Sequence, residues 1–276
     1  EDRSAAPPDV YGLAARREDW GEALPDGVAL ITAGCDVQND RLEVELVGWG
    51  ADEESWSLDH VILRGDPSAP QVWKELEDLL LQTFPHPRAV PDLTISGVCI
   101  DSGGHHSQAV YEFVRDKQRR RVWAIKGVGG TGKPAWPRKP SLNNKGQIPL
   151  YLIGVDGLKE AFYARLRLDR PGAGYCHFPI GRTETWFEQL TSEKCLVRYS
   201  RGRPVREWHV TAGKRNEALD NRVYNAAALA GLRSLGFDLD ALAAKVTAKP
   251  MKSDPFERIP ATSKTPTVIR SSWMDA

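Results

Sequence analysis

Neither sign of charge prevails in this chain. Lys+Arg and Asp+Glu each number 37 in 276 residues, so no overall basic surplus draws it to nucleic acid, and any such surface must come from segregated charge. Cysteine is scarce and scattered: Cys35, Cys99, Cys176 and Cys195 form no C-x-x-C spacing. That argues against a zinc site or a disulfide framework and for a reducing compartment. Cys35 and Cys99 sit inside apolar runs, where a free thiol behaves as a small hydrophobe. No apolar run approaches the ~20 residues of a membrane span, and no secretory leader is apparent. The chain starts at Glu1 without Met and stays polar and Pro-containing to about Pro25. Residues 1–25 are therefore expected to be a linker from a preceding domain.

What is present is a core-forming pattern. With 41% hydrophobic residues, the chain is long enough to bury a substantial core. Val28 to Asp36 reads as a buried strand. After an Asn39-Asp40 turn, Arg41 to Trp49 alternates as a half-buried strand, and Glu54 to Leu63 supplies a third. Pro70 to Leu81 has Val72, Leu76, Leu79 and Leu80 on one helical face. Leu93 to Ile100 is a fourth strand, His105 to Lys117 a helix and Val122 to Ile125 a fifth strand. Further on come a strand at Ile148–Ile153, helices at Asp156–Leu168 and Thr183–Thr191, and a hairpin about Arg201–Arg203. A long Ala-rich helix, Asn216–Leu235, closes the pattern. The expectation is an α/β fold with a mixed sheet, three antiparallel strands followed by crossover strands, flanked by helices. This is the element order of a ribonuclease-H-like domain, spanning residues 26–236, with residues 237–276 as a flexible tail.

Three aspartates stand at the edges of apolar segments: Asp36 in ITAGCDVQ, Asp101 in SGVCIDSGG and Asp220 in RNEALDNRVYNAAALAGL. Carboxylates are rarely buried unless paired or bound to a cation. Singly, each suits a structural role: Asp36 capping the following turn, Asp101 capping the next helix, Asp220 as a first-turn acid favoured by the helix dipole. Jointly, on three separate elements, they suit Mg²⁺ or Mn²⁺, which take oxygen ligands and leave room for phosphate oxygens. In two-metal phosphodiester hydrolysis, one ion activates water and the other stabilises the leaving oxygen.

The Gly127–Pro134 segment GVGGTGKP has phosphate-loop spacing but carries Pro134 where a hydroxyl residue is required, and Pro137 and Pro140 prevent the following helix. It is read instead as part of a mobile basic loop, Gly127 to Gly146. That loop belongs to a stretch from Lys117 to Lys145 holding nine basic and no acidic residues. Lys126, Lys133, Lys214 and Arg215 are the candidate phosphate contacts. His105 and His106 are either auxiliary groups beside Asp101 or surface histidines opening a helix. Trp49, Trp73, Trp123 and Trp186 lie on amphipathic elements and read as core.

The segments TAGCDVQNDRLEVELVGWG, CIDSGGHHSQAVYEFV and RNEALDNRVYNAAAL resemble the nuclease domain of the terminase large subunit of tailed phages, in the lambda-like GpA family. The resemblance covers roughly Leu24 to Leu235. It implies a ribonuclease-H-like, metal-dependent endonuclease that cuts concatemeric double-stranded DNA during packaging. Asp36, Asp101 and Asp220 would be its metal-binding, catalytic acids, holding two Mg²⁺ or Mn²⁺ ions. It also implies an N-terminal ATPase domain, a small terminase subunit and a portal as partners, in a host cell cytoplasm and away from membranes. Aspartate stands at the second position, where several terminases use glutamate. The competing readings are another ribonuclease-H-like activity (resolvase, transposase or hybrid ribonuclease) and a non-catalytic DNA or portal docking module.

Overall fold

The structure, a computed structural model, describes residues 8–88, 90–142, 148–200 and 203–252. Its centre is the strand run foreseen above. β2 (Leu30–Val37) pairs antiparallel with β3 (Arg41–Trp49), and β3 pairs antiparallel with β4 (Ser55–Arg64). The chain then crosses over through α2 (Pro70–Leu80) to β6 (Leu93–Asp101), which lies parallel to β2. A second crossover, α3 (Ser107–Val114), leads to β7 (Val122–Val128), parallel to β6, and β9 (Pro149–Gly154) extends the sheet beyond β7. The order β4-β3-β2-β6-β7, antiparallel for its first three strands and parallel afterwards, is the ribonuclease-H-like arrangement.

Smaller pieces complete the sheet. β1 (Arg17–Glu18) and β10 (Cys176–Pro179) add beyond β4, β8 (Ser141–Leu142) pairs with β9, and β5 (Thr83–Phe84) pairs with β6. β11 (Glu193–Ser200) and β12 (Arg203–Val210) form a separate hairpin. It is the hairpin expected about Arg201–Arg203, whose residues 201–202 lie outside the described residues.

Strand alternation assigns side chains to two faces. Ala33, Cys35, Leu42, Val44, Leu46 and Ile100 face one way, into a cluster with α2 and α3. Leu30, Val47, Trp49, Cys99 and Trp123 face the other, under α4 (Val155–Leu166), α5 (Glu184–Leu190) and α6 (Glu217–Ser234). All four tryptophans expected in the core are buried.

Three expectations need correction. Residues 1–25 are not linker throughout, since α1 (Val10–Ala15) is capped by Asp9 and buries Leu13 and Ala14 in the main core. Residues 1–7 lie outside the described residues. Nor is the chain after Phe237 tail throughout: α7 (Leu239–Thr247), capped by Asp238, buries Leu239, Ala243 and Val246. The i, i+4, i+7 spacing of those residues gives it an apolar stripe to bury, while residues 253–276 lie outside the described residues. Finally, the described part of the basic loop is anchored to the fold. Trp136 stacks on Tyr151 at 4.4 Å and packs on Trp123, Gly130 N–H donates to Asp156, and Gly154 N–H donates to the Pro134 carbonyl.

Candidate functional site

Parallel pairing in the register Cys35↔Ile100 sets the ends of β2 and β6 side by side. Alternation then turns Asp36, in phase with Thr32 and Gly34, and Asp101, in phase with Gly97 and Cys99, toward the face covered by α6. Asp220 lies in the first turn of that helix.

The helix is held close by missing and matching side chains. A Cβ on Gly34 would collide with the Asn221 carbonyl and come within 2.9 Å of the Asn225 amide and 3.0 Å of Tyr224 Cβ, while a Cβ on Gly97 would press on Leu232 at 3.1 Å. Buried hydrogen bonds bolt the same contact: Trp49 Nε1 donates to Thr32 Oγ1 at 2.8 Å, and Thr32 Oγ1 donates to Asn225 Oδ1 at 2.6 Å. Asn225 Nδ2 in turn donates to the Glu45 and Asn221 carbonyls. Asp220 is therefore carried to the strand ends by a helix seated directly on the sheet.

Asp36 is buried, and Asp101 and Asp220 are half-buried. Burial, the charge of Asp220 and that of Asp101 push the Asp36 carboxyl up to about 8, against a smaller opposing effect of the Gln38 side chain, which donates to Asp36 Oδ2 at 2.6 Å. Burial also raises Asp101, opposed by backbone N–H groups of Gly103 and Ser102 and by the charge of Lys126. Asp220 rises to about 6 through burial, with Lys159 pulling it down and Glu193 and Asp101 pushing it up. The three acids thus sense one another. Among the described residues, neither Asp36 nor Asp101 has an ion-pair partner, and no three His, Cys, Asp or Glu side chains are already gathered closely enough to hold one ion.

Two groups that sequence reading missed border the cluster. Lys159 on α4 donates to both oxygens of Glu193 at 2.7 and 2.8 Å and stands 3.6 Å from Asp220 Oδ1. Asn216 Nδ2 donates to Glu193 Oε1 at 3.0 Å and Asp220 Oδ2 at 2.8 Å. No local pattern marks these residues, because they meet only through the packing of α4, β11 and α6.

The other candidates divide. Lys126 and Lys133 are exposed, and Lys126 is near enough for its charge to act on Asp101. Lys214 pairs with Glu188 at 2.9 Å. Arg215 pairs with Glu43 and with Glu217, so its guanidinium is engaged within the fold. His105 is exposed, while His106 precedes α3 and lies 3.4 Å from Ser68 Oγ through Nδ1. Among the described residues, neither histidine is ion-paired with Asp36, Asp101 or Asp220.

A ribonuclease-H-like sheet whose central strands end in one buried and one half-buried acid, with a third on the covering helix, defines the class of protein, an α/β domain of ribonuclease-H-like fold. The family model of the terminase large subunit gpA, endonuclease domain, matches residues 1–239, and the chain belongs to that family. It is 37% identical over 251 residues to the terminase large subunit of Escherichia phage lambda, covering 87% of this chain and 38% of that protein. It is 31% identical over 215 residues to the terminase large subunit of Enterobacteria phage P21, covering 75% and 33%. The chain thus spans between a third and two fifths of the length of these relatives. Among solved structures, it is similar to a mutant nuclease domain of the large terminase subunit of bacterial virus Sf6 with manganese. There the TM-score is 0.43 at 12% identity, over 79% of this chain and 97% of the other.

Proposed function

We propose that this chain is a divalent-metal-dependent endonuclease that cuts double-stranded DNA for genome packaging, with Asp36, Asp101 and Asp220 as its metal-binding acids. The observation that carries the reading is the state of Asp36. This carboxyl is buried at the end of a central strand, stands near two other acids, and has no cationic side chain paired with it among the described residues. Such a surplus of negative charge is costly in isolation and is relieved by a hard cation with oxygen ligands. The donor set is all oxygen and would suit Mg²⁺ or Mn²⁺, with Asp36, Asp101 and Asp220 as the residues that would hold it.

When bound, the ions supply an activated water and charge stabilisation for the leaving oxygen. The protein's own groups do the rest. Gly103 N–H, at 3.1 Å from Asp101 Oδ1, fixes one flanking carboxylate, and Asn216 fixes the other. Lys126 and Lys133 lie exposed, suited to phosphate oxygens of the strand. Lys214 and Arg215 serve that role only by leaving the acids that now hold them.

The packaging context rests on the family. In it, an N-terminal ATPase domain, a small terminase subunit and a portal are the partners, and the host cytoplasm is the setting. Replacing Asp36 with Asn tests the reading: cleavage of duplex DNA in Mn²⁺ should disappear while circular dichroism stays unchanged. Retained cleavage would sink it. Cutting of RNA–DNA hybrid or branched DNA in preference to duplex would move the chain to another ribonuclease-H-like activity.

A further inference from the structure

α4 and α6 pack side by side, and small residues keep them from closing on each other. From Ala218 to Leu232, every residue of α6 is buried except Asp220, Ala226 and Ala230. The two alanines are partly open because they border a pocket of about 190 Å³ between the helices, walled also by Leu229, by Ala161 and Phe162 of α4, and by Trp49 of β3. A longer apolar side chain at either position would bury more surface and fill the space. Alanine leaves it open.

The rim is charged. Arg165 of α4 and Arg233 of α6 both pair with Glu53, and all three side chains stay partly exposed. Arg222 also borders the pocket, but its guanidinium turns inward to Ser55 and Glu45. Among the described residues, no other acid pairs with Arg165 or Arg233. Two guanidinium groups against one carboxylate leave a positive charge unmatched at the rim. Glu53 itself reaches them from the left-handed backbone region, at φ 60° after Asp52 at φ 52°. Side chains disfavour that region, and residues held there recur at ligand clamps.

Size then selects the occupant. Small-molecule sites run to about 300–1,000 Å³ and enclose most of their ligand. This pocket is smaller and open to the surface, which suits one large anchoring side chain of a protein partner. The Trp49 and Phe162 rings and the alanine methyls offer walls for an aromatic ring. We propose that the pocket docks a protein segment carrying an aromatic side chain next to a carboxylate. The ring enters between Ala161, Ala226 and Ala230, and the carboxylate shares Arg165 and Arg233 with Glu53. Arg233 lies toward the far end of α6 from Asp220, roughly 20 Å along the helix, so the segment is held clear of the acid cluster. The inference goes beyond the nuclease reading and stands even if that reading fails.

The test is nuclear magnetic resonance of the whole chain with isotope-labelled alanine methyl groups, titrated with the blocked dipeptide acetyl-Asp-Phe-amide to millimolar concentration. The methyl signals of Ala161, Ala226 and Ala230 should shift and saturate. Acetyl-Asn-Phe-amide, lacking the charge, should bind about fivefold more weakly, and Arg233→Gln, at an exposed position, should remove that preference. Ala230→Met, which fills the pocket, should abolish binding of both peptides. Absence of a saturable shift, or equal affinity for the two peptides in the unaltered chain, would overturn the proposal. Tighter binding of 3-phenylpropionate than of the dipeptide would overturn it in favour of a small-carboxylate site. Alanine shifts that follow chain concentration without any peptide would overturn it in favour of a second copy of the chain.

Discussion

Asp36 and Glu43 face each other across β2 and β3 as direct register partners, both buried, and their surroundings drive them in opposite directions. Burial raises both. Around Glu43, however, the nearby His60 ring, hydrogen bonding from Arg41 and the charge of Arg215 outweigh it and bring the carboxyl down to about 2. Arg41 Nε lies 2.6 Å away and His60 Nε2 3.4 Å, with Arg215 paired as well. Asp36 has acids where Glu43 has cations, and it rises to about 8. Burial alone thus does not set the state of an acid; the supply of counter-charge does. Glu45 repeats the structural case, accepting from Ser57 at 2.6 Å and lying 3.5 Å from Arg222.

The largest expected contrast is between neutralising the two partners. Asp36→Asn should lower cleavage by on the order of a thousandfold or more while preserving or raising the melting temperature of the metal-free chain. Glu43→Gln should do the reverse. By stripping Arg41 and Arg215 of a buried partner, it should cost about 3 kcal/mol in urea unfolding, yet leave Mn²⁺ binding in place. Equal loss of stability in both variants would erase the distinction.

Gly34→Ala comes next. The added methyl meets the Asn221 backbone, and forcing α6 outward should cost about 2 kcal/mol and reduce Mn²⁺ affinity by carrying Asp220 away from the strand ends. An unchanged affinity would mean that Asp220 does not share the ion.

A smaller effect is the pH dependence of metal-free stability, where the two acids have opposite signs. Asp36 binds its proton more tightly folded than unfolded, so its contribution weakens stability as pH climbs from near 3.8 to about 8. Glu43 binds its proton less tightly when folded, so the stability it confers is present above pH 4.5 and lost as pH falls toward about 2. Melting curves from pH 5 to 8 should therefore fall with pH in the unaltered chain and fall less steeply in Asp36→Asn, where Asp220, raised to about 6, still contributes. Smallest of all, Lys126→Ala should weaken DNA binding evenly across sequences and reduce the salt slope by about 1. A sequence-dependent loss would assign Lys126 to base contact instead.

The same contrast explains what could be read from residue order. That Asp36, Asp101 and Asp220 come near one another was foreshadowed because each interrupts or ends an apolar run, and the strand order followed from alternation and helical stripes. The neutralising partners were not. Arg215 looked like a phosphate contact because a basic residue beside an acid on a helix start gives no hint of a strand acid packed against it. Lys159 sits between Leu158 and Phe162 in a helix whose pattern is equally that of a surface lysine, and Glu193 opens a hairpin. Only the packing of α4, β11 and α6 brings them together. β10 was missed because four residues, Cys176–Pro179, carry too little periodicity. α7 was hidden by the prolines that follow it, although Asp238 and the Leu239, Ala243 and Val246 spacing mark a capped helix.

The central claim is that Asp36, Asp101 and Asp220 share bound ions. Anomalous diffraction from crystals of this chain soaked in Mn²⁺ tests it most directly. The account predicts manganese peaks within coordination distance of Asp36, with Asp101 and Asp220 each completing a site. Well-diffracting soaked crystals with no peak at Asp36, or with manganese bound only at unrelated surface acids, would contradict it.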